Sequence, residues 1–473
     1  MKYVVYALLI LLCVLVLLLL IAVIRTLLCP RRKADYTPNP DPAREQLYAE
    51  KLAAMVRCPT ISRSGREVFL HLHKVMEDLF PLVHRHLDKT ELEGNLLFHW
   101  EGKSAERPIL LMAHQDVVPA EGEWKHPPFS GEIIDGEIWG RGTGDTKCSL
   151  MAFFQAAEEL LEEGFTPDQD VYLFSTCDEE VSGGGATILV EELKRRGVRP
   201  WLVCDEGGSI ISEPVGGVKG NYAMVGVFEK GMANVKFTAR SNGGHSSAPP
   251  RQYPVTKLAA FVDYVNNHYP FRKKFLPHVK AMFSTLAPYA GFPLRLVFHN
   301  LWLFAPLLGA LMPYISSQAT AMLRTTIAFT MQTGSEACNI IPQEATVSAN
   351  LRFIPHQGRD ESLKIICDLA AKYGLESQVM QSTDYSAPVD IHGEQWNRVV
   401  DSIHRTFPGL PAVPYVVTGG TDARFLQEIC DNCIRFSPVM FSPEQLKGMH
   451  GLNETISTNC LPGAVDFFKN LIQ

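Results

Sequence analysis

The chain lacks an excess of positive charge, a regular cysteine framework and any internal repeat, and each absence closes off a class of function. Its 473 residues carry a net charge of -7, with no basic stripe of interleaved aromatic residues. The electrostatic footprint of a nucleic-acid binder is therefore missing, and no nucleic-acid partner is expected. The 11 cysteines are odd in number and scattered, which fits free thiols in a reducing compartment better than disulfides. Cys430 and Cys433 form one C-x-x-C with no second pair beside it, so they are expected to be structural. Hydrophobic residues make up 46% of the chain and charged residues 20%. That composition is globular, and the length suffices for two or three domains.

Charge is also absent from Tyr3 to Ile24, a run dominated by Leu, Val and Ile. It reaches roughly the 20 residues a helix needs to cross a bilayer. A cleaved signal peptide is the alternative, but its apolar core would span only about 7–15 residues before a small-residue cleavage site. Arg25-Thr-Leu-Leu-Cys-Pro offers no such site, which favours an uncleaved single-pass anchor over residues 1–28. Arg25, Arg31, Arg32 and Lys33 follow the run, against Lys2 before it. The positive-inside rule then puts the C-terminal bulk in the cytoplasm. The sequon Asn453-Glu-Thr points to the other face. Residues 29–44, with Pro38, Pro40 and Pro42, read as a linker.

Beyond the linker, short apolar runs alternate with helical spacing. Ile109–Ala113, Val171–Ser175 and Trp201–Cys204 read as buried strands, and Glu45–Cys58, Ser149–Glu163 and Ala186–Arg196 as helices. The pattern implies an α/β domain with a mixed sheet flanked by helices. From about Val227 it changes. Phe228–Arg240 and Ala345–Phe353 read as strands and Gln252–Tyr269 as a helix, until the α/β pattern returns near Trp396. The expected organisation is a catalytic α/β domain in two parts, 45–226 and 385–473, around an inserted α+β lid at 227–384. Within the insert, Leu294–Leu311 is unusually apolar but interrupted by Pro306. It is expected to form a buried or groove-forming segment rather than a second span.

Candidate ligands follow the ends of the strand runs. His114 closes one, Glu179 and Glu180 follow the next, and Asp205 closes the third. Asp145 ends Gly-Arg-Gly-Thr-Gly-Asp, and His450 lies near the C-terminus. Open α/β sheets place their sites at such strand ends. Two divalent metals about 3.5–4 Å apart, joined by a bridging carboxylate, can clamp the attacking and leaving oxygens of a hydrolysis. His114, Asp145, Glu180, Asp205 and His450 supply two imidazoles and three carboxylates for that purpose. Glu179 remains beside them as a candidate general base and acid. Asp116, two residues past His114 on an extended segment, can hold the other imidazole nitrogen.

These motifs resemble the dinuclear-zinc family of aminoacylase-1, carboxypeptidase S, carboxypeptidase G2 and succinyl-diaminopimelate desuccinylase. The resemblance rests on His114-Gln-Asp116, Pro127-Pro-Phe-Ser-Gly131, Gly140-Arg-Gly-Thr-Gly-Asp145, Asp178-Glu-Glu180, Asp205-Glu-Gly-Gly208, Gly244-His-Ser-Ser247 and His450-Gly451 with Asn453-Glu454. The run from Gly244 to Pro250 and the apolar segment around Trp302 are most similar to the branch of carboxypeptidase S and the N-fatty-acyl-amino-acid synthase/hydrolases. The resemblance implies a zinc-peptidase fold with an inserted lid that often mediates dimers, and two Zn2+ per subunit. His114, Asp145 and Asp205 would hold one zinc, and Asp145, Glu180 and His450 the other. Glu179 would be the base, and His245 of the lid would stabilise the oxyanion. Asn339, Arg352 and the turn Gly419-Gly420-Thr421 would bind the substrate's free carboxylate. Arg352 has an ordinary alternative as a surface strand residue. The implied activity is hydrolysis of an amide next to a free carboxylate, in an N-acyl amino acid or a peptide. The alternatives are a dipeptidase and a catalytically dead binding module.

Overall fold

Residues 2–473 are described by a computed structural model. The continuous apolar runs become strands buried on both faces, as expected where helices cover both sides of a sheet. In chain order the strands of the first part are β1 (Asp88–Leu92), a polar and largely exposed edge, β2 (Asn95–Trp100), β3 (Ile109–His114), β4 (Val171–Thr176), β5 (Leu202–Asp205), β6 (Ser209–Ser212) and β7 (Asn221–Glu229). The inserted segment adds β8 (Gly231–Arg240), β9 (Thr326–Thr333), β10 (Glu344–Phe353) and β11 (Glu376–Thr383). The last part of the chain adds β12 (Ala412–Val417), β13 (Cys433–Arg435) and β14 (Met440–Phe441).

The central mixed sheet has the order β1-β2-β4-β3-β5-β13-β7-β6-β14, with β12 on β7. Strands β3, β4 and β5 are mutually parallel, which brings their carboxyl ends to one edge of the fold. Helix α1 (Lys2–Leu28) lies at the N-terminus, and α2 (Cys148–Glu162) packs under the sheet against the C-terminal helix Leu461–Ile472. Almost all of α2 is buried, so it is apolar around most of its circumference, as a core helix must be. The inserted sheet β9-β10-β8-β11 is wholly antiparallel. Helices Pro254–Asn267 and Arg359–Lys372 cover it, with a separate core of Phe237, Phe261, Leu351 and Ile366.

Three expectations meet differences here. The single strand read over Phe228–Arg240 is two strands that part at Lys230: β7 belongs to the central sheet and β8 to the insert. β7 is buried almost continuously and β8 alternates, with only Glu229-Lys230-Gly231 at their junction to mark the break. The apolar segment near Trp302 forms two helices, α3 (Phe292–His299) and α4 (Leu301–Ile315), bent by 109°. Their inner residues Phe298, Leu301 and Met312 join the core of the central sheet rather than that of the insert. Residues 29–44 are an extended strap pinned to the domain. Asn221 N donates to the Ala34 carbonyl at 3.3 Å, Asn221 Nδ2 donates to the Tyr36 carbonyl at 2.8 Å, and Tyr36 packs edge-on against Phe407.

Every cysteine is free. Cys433 Sγ lies 3.6 Å from the Cys430 carbonyl within a buried turn, in keeping with a structural role.

Candidate metal centre

The centre forms where β3, β4 and β5 end. His114 is the last residue of β3 and is 2% exposed. Its Nδ1 lies 2.8 Å from the Asp116 carbonyl, and its Nε2 lies 3.0 Å from Asp145 Oδ1. The Nδ1 contact fixes the ring and aims Nε2 into the site. The other oxygen of the same carboxylate, Asp145 Oδ2, lies 2.8 Å from His450 Nε2. One carboxylate thus stands between two imidazoles. His450 Nε2 is also 3.2 Å from Glu180 Oε2.

Asp145 is held by a cage around its loop. Glu454, 1% exposed, accepts from Arg141 Nη1 at 2.8 Å, Gly142 N at 3.1 Å, Gly144 N at 2.9 Å and Asp145 N at 3.2 Å. Arg141 Nη2 donates to the Gly451 carbonyl at 2.7 Å. The loop carrying Asp145 and the loop carrying His450 are therefore one hydrogen-bonded unit. Within it, Asn453 Oδ1 accepts from Lys125 N at 2.7 Å, so the sequon asparagine is part of the site's framework.

Asp116 does more than face the imidazole. Its carboxylate accepts from Ser62 Oγ at 2.6 Å, Glu179 N at 3.2 Å and Glu180 N at 3.1 Å. It sets the turn that presents both glutamates. Glu180 faces His450. Glu179 points with Glu206 toward His114, the candidate ligand atoms of these three lying within 4.8 Å of one another. His114, Asp145 and Glu180 form a second such group.

Glu206 escaped the sequence reading. Its Oε1 lies 3.5 Å from His114 Nε2. Asp205, expected as a ligand, gives one oxygen to the backbone: its Oδ2 accepts from Ala423 N at 2.8 Å. Asp205 is the last residue of β5, and Glu206 follows it outside the strand.

The electrostatics record a surplus of negative charge. Burial opposes a charge on His114, but Glu206, Asp116 and Asp145 outweigh it and hold the imidazole well above its usual range. Asp145 is held below the usual carboxylate range: burial opposes this, and the two imidazoles outweigh it. Hydrogen bonds to Asp145 and Glu180 push His450 up to about 10. Burial, reinforced by neighbouring carboxylates, raises Glu179 and Glu206 well above the usual range. Four carboxylates thus converge on two imidazoles, an oxygen and nitrogen donor set that suits divalent metal ions.

The carboxylate-binding candidates divide into two groups. Thr421 donates to Glu229 Oε2 through N at 2.9 Å and Oγ1 at 2.7 Å, closing the Gly419–Thr421 turn against a buried glutamate that also takes Arg435 Nε at 3.0 Å. The Arg424 guanidinium fills the notch left by the missing side chain of Gly420. Burial and the charge of Arg424 lower the Arg352 guanidinium from its usual value, which marks the two arginines as neighbours. Arg424 was also missed in the sequence. His245 and Asn339 lie elsewhere, exposed on the short ribbon of Gly244–His245 and Ile340–Ile341. Among the described residues the His245 side chain bonds only Ser247, at 2.8 Å to its Oγ, and the Asn339 carbonyl accepts from Ser246 N at 3.1 Å. Within one chain they do not meet the centre.

Residues 110–473 match peptidase family M20/M25/M40. The chain belongs to this family. It is 34% identical over 461 residues to an N-fatty-acyl-amino acid synthase/hydrolase, PM20D1, of Xenopus tropicalis, covering 94% of this chain and 88% of that one. It is 29% identical to carboxypeptidase S of Saccharomyces cerevisiae over 91% of this chain and 84% of that one. In fold it is similar to the family metallo-carboxypeptidase Sso-CP2 of Sulfolobus solfataricus, with a TM-score of 0.67 at 17% identity over 90% of this chain and 98% of that one. A Bacillus subtilis member with a TM-score of 0.56, at 12% identity over 91% and 98% of the two chains, is described as a dinuclear metal-binding peptidase. The chain is accordingly a metal-dependent hydrolase, of the N-acyl-amino-acid amidohydrolase or carboxypeptidase type.

Proposed function

We propose that the chain hydrolyses N-acyl amino acids at the amide bond next to the free carboxylate, using two divalent metals, taken as zinc from the resemblance to the dinuclear-zinc hydrolases. The observation that carries this reading is the Asp145 carboxylate shared between His114 and His450, with Glu179 alongside. Asp145 would bridge, with His114 on one ion and His450 and Glu180 on the other. The remaining ligand is assigned to the Asp205–Glu206 pair, and the geometry favours Glu206. Bound there, the metals would polarise the carbonyl and make water acidic enough to attack near neutral pH.

Glu179 is unshared by His450 and faces the same space. It takes the proton of the attacking water and returns it to the leaving nitrogen. Asp116 keeps Glu179 and His114 in register. Arg352, Arg424 and the Gly419-Gly420 part of the turn receive the substrate carboxylate, a task suited to guanidinium groups, while Thr421, whose N and Oγ1 are given to Glu229, holds the turn in place. His245 and Asn339, exposed together on the lid, are placed to serve the centre of a partner subunit in a homodimer. Helix α1 anchors the enzyme in a membrane, with the catalytic part on the cytoplasmic face by the charges that follow it.

An apolar cavity of about 510 Å3 lies between the central sheet and α3–α4, lined by Met282, Phe283, Leu294, Phe298, Leu308 and Met312 among others. None of the metal-centre residues lines it, so the preference for an acyl chain over a second amino acid rests on the anchor and on the similarity to an N-fatty-acyl-amino acid synthase/hydrolase. Hydrolysis by the zinc-loaded protein of N-acyl amino acids of rising chain length, set beside dipeptides at matched concentration, tests the assignment. Turnover rising with chain length is the expected result. Cleavage of dipeptides alone would make the protein a peptidase.

A further inference from the structure

Between Leu296 and Ile315 the chain carries no Asp, Glu, Lys or Arg, yet much of this segment faces outward. Trp302 is 49% exposed, Leu307 58%, Leu311 46%, Tyr314 89% and Ile315 68%. The opposite face of α4 places Leu301, Gly309 and Met312 in the interior. The outward face is therefore a second apolar surface on a helix already buried on its first, and soluble monomers rarely display such a patch. It cannot be a membrane span. The 15 residues of α4 reach about 22 Å, short of the roughly 30 Å hydrocarbon core, and the 109° bend turns α3 aside.

What this surface meets follows from its attachment to α1. Asn300, at the bend, is fully buried. Its Nδ2 donates to Thr26 Oγ1 at 2.9 Å and lies 3.1 Å from the Ala22 carbonyl. Its Oδ1 accepts from Trp302 Nε1 at 3.2 Å. Ala22 and Thr26 are the buried residues of α1, and α1 packs along α3. A buried amide must keep its partners, so the last turns of the anchor and the hairpin form one piece. Removal of α1 as a signal sequence would strip Asn300 of Thr26 and Ala22, leaving the Leu296 carbonyl, 2.9 Å from Nδ2, and Trp302. The contact lies near the C-terminal end of α1, where a spanning helix leaves the hydrocarbon.

Cations ring the base of this piece. Lys273, Lys274 and Lys280 line a recess against Ala305, Pro306 and Gly309, with Lys273 Nζ 2.8 Å from the Gly309 carbonyl. Arg25, Arg31 and Arg32 end α1 and begin the strap. An apolar face bordered by Lys and Arg is the signature of an element lying in a membrane interface, with basic side chains at headgroup depth.

We propose that the α3–α4 hairpin is a second membrane contact, lying in the interfacial layer of the bilayer that α1 spans. The Trp302–Ile315 face enters the acyl region, and the lysines at its base meet phosphate headgroups. The inference rests on the reading of α1 as an anchor. The inner face of the hairpin walls the 510 Å3 cavity, so one layer of helix separates that cavity from lipid.

Tryptophan fluorescence tests it, because α1 contains no Trp and the other five, at 100, 124, 139, 201 and 396, lie outside the hairpin. The full chain is reconstituted in phosphatidylcholine and phosphatidylglycerol vesicles whose phosphatidylcholine carries brominated acyl chains. The wild type should be quenched, Trp302→Phe should lose most of the quenching, and adding Tyr314→Trp to Trp302→Phe should restore it. Tyr314 is 89% exposed and makes no side-chain hydrogen bond among the described residues, so this second change leaves the fold alone. Equal quenching in wild type and Trp302→Phe, with no gain from Tyr314→Trp, overturns the hairpin contact. Extraction of the protein by alkaline carbonate overturns the anchor reading, and the hairpin contact with it.

Discussion

Replacing Glu454 by Gln should loosen the centre without removing a ligand. Glu454 Oε2 accepts from Arg141 Nη1 and Gly142 N, and Oε1 from Gly144 N and Asp145 N. A glutamine amide presents one oxygen and one NH2, so two of the four donors would face another donor. Arg141, 3% exposed, would also lose its only carboxylate partner. Breaking a buried pair from one side typically costs about 3–5 kcal/mol. The Arg141 bond to the Gly451 carbonyl survives, so the lower end, about 3 kcal/mol, is expected here. At about 2 °C per kcal/mol for a large domain, the melting temperature should drop by about 6 °C. The cage sets the position of Asp145, so zinc affinity should fall about 10–100-fold, as for other supports of metal ligands. Thermal unfolding and chelator competition on Glu454→Gln read the two effects. A melting temperature within about 1 °C of wild type, with unchanged zinc affinity, would refute the argument that this carboxylate holds the loop.

Other outcomes follow from the same geometry. Glu206→Gln should reduce bound metal from two ions to one, and Asp205→Asn should leave metal content intact while loosening the Ala423 turn; elemental analysis after dialysis distinguishes them, and the opposite pattern returns the ligand role to Asp205. Arg424→Gln should raise KM about 10–100-fold for substrates with a free carboxylate, from the loss of a charge-assisted bond of about 1.5–3 kcal/mol. It should leave KM unchanged for carboxylate-amidated analogues. His73 is buried with Nε2 2.9 Å from Gln115 Oε1, and burial lowers its pKa from 6.5. The unfolded chain takes up a proton near pH 6.5 and the folded chain only at lower pH, so stability present at pH 7 is lost as pH falls through that window. Thermal melts of His73→Gln should show a weaker decline between pH 7 and pH 5 than the wild type.

The sequence carried the central architecture because buried parallel strands are written as continuous apolar runs. Ile109–His114, Val171–Thr176 and Leu202–Asp205 each end at or beside a titratable residue. His114, Asp145, Glu180 and His450, separated by up to 336 positions in the chain, meet within hydrogen-bonding distance. What stayed hidden depends on orientation and on distant partners. Asp205 and Glu206 are adjacent carboxylates, and only the folded turn after β5 shows Glu206 standing 3.5 Å from His114. Arg424 sits in an ordinary-looking stretch and gains its setting from Gly420 and Arg352. The joint at Lys230 is marked only by Glu229-Lys230-Gly231, a break too short to read as a loop. The bend at Asn300 is stabilised by Thr26, 274 positions away, and no local pattern reports such a partner.

The central claim is that Glu179 moves the proton at a two-metal centre built on Asp145. The most direct test is a pair of measurements on Glu179→Gln in the full zinc-loaded chain: metal content, and turnover of an N-acyl amino acid that the wild type hydrolyses. Two metals per chain, with turnover reduced by about 10²–10⁴-fold, is the predicted result. Full metal content with turnover near that of the wild type would contradict it.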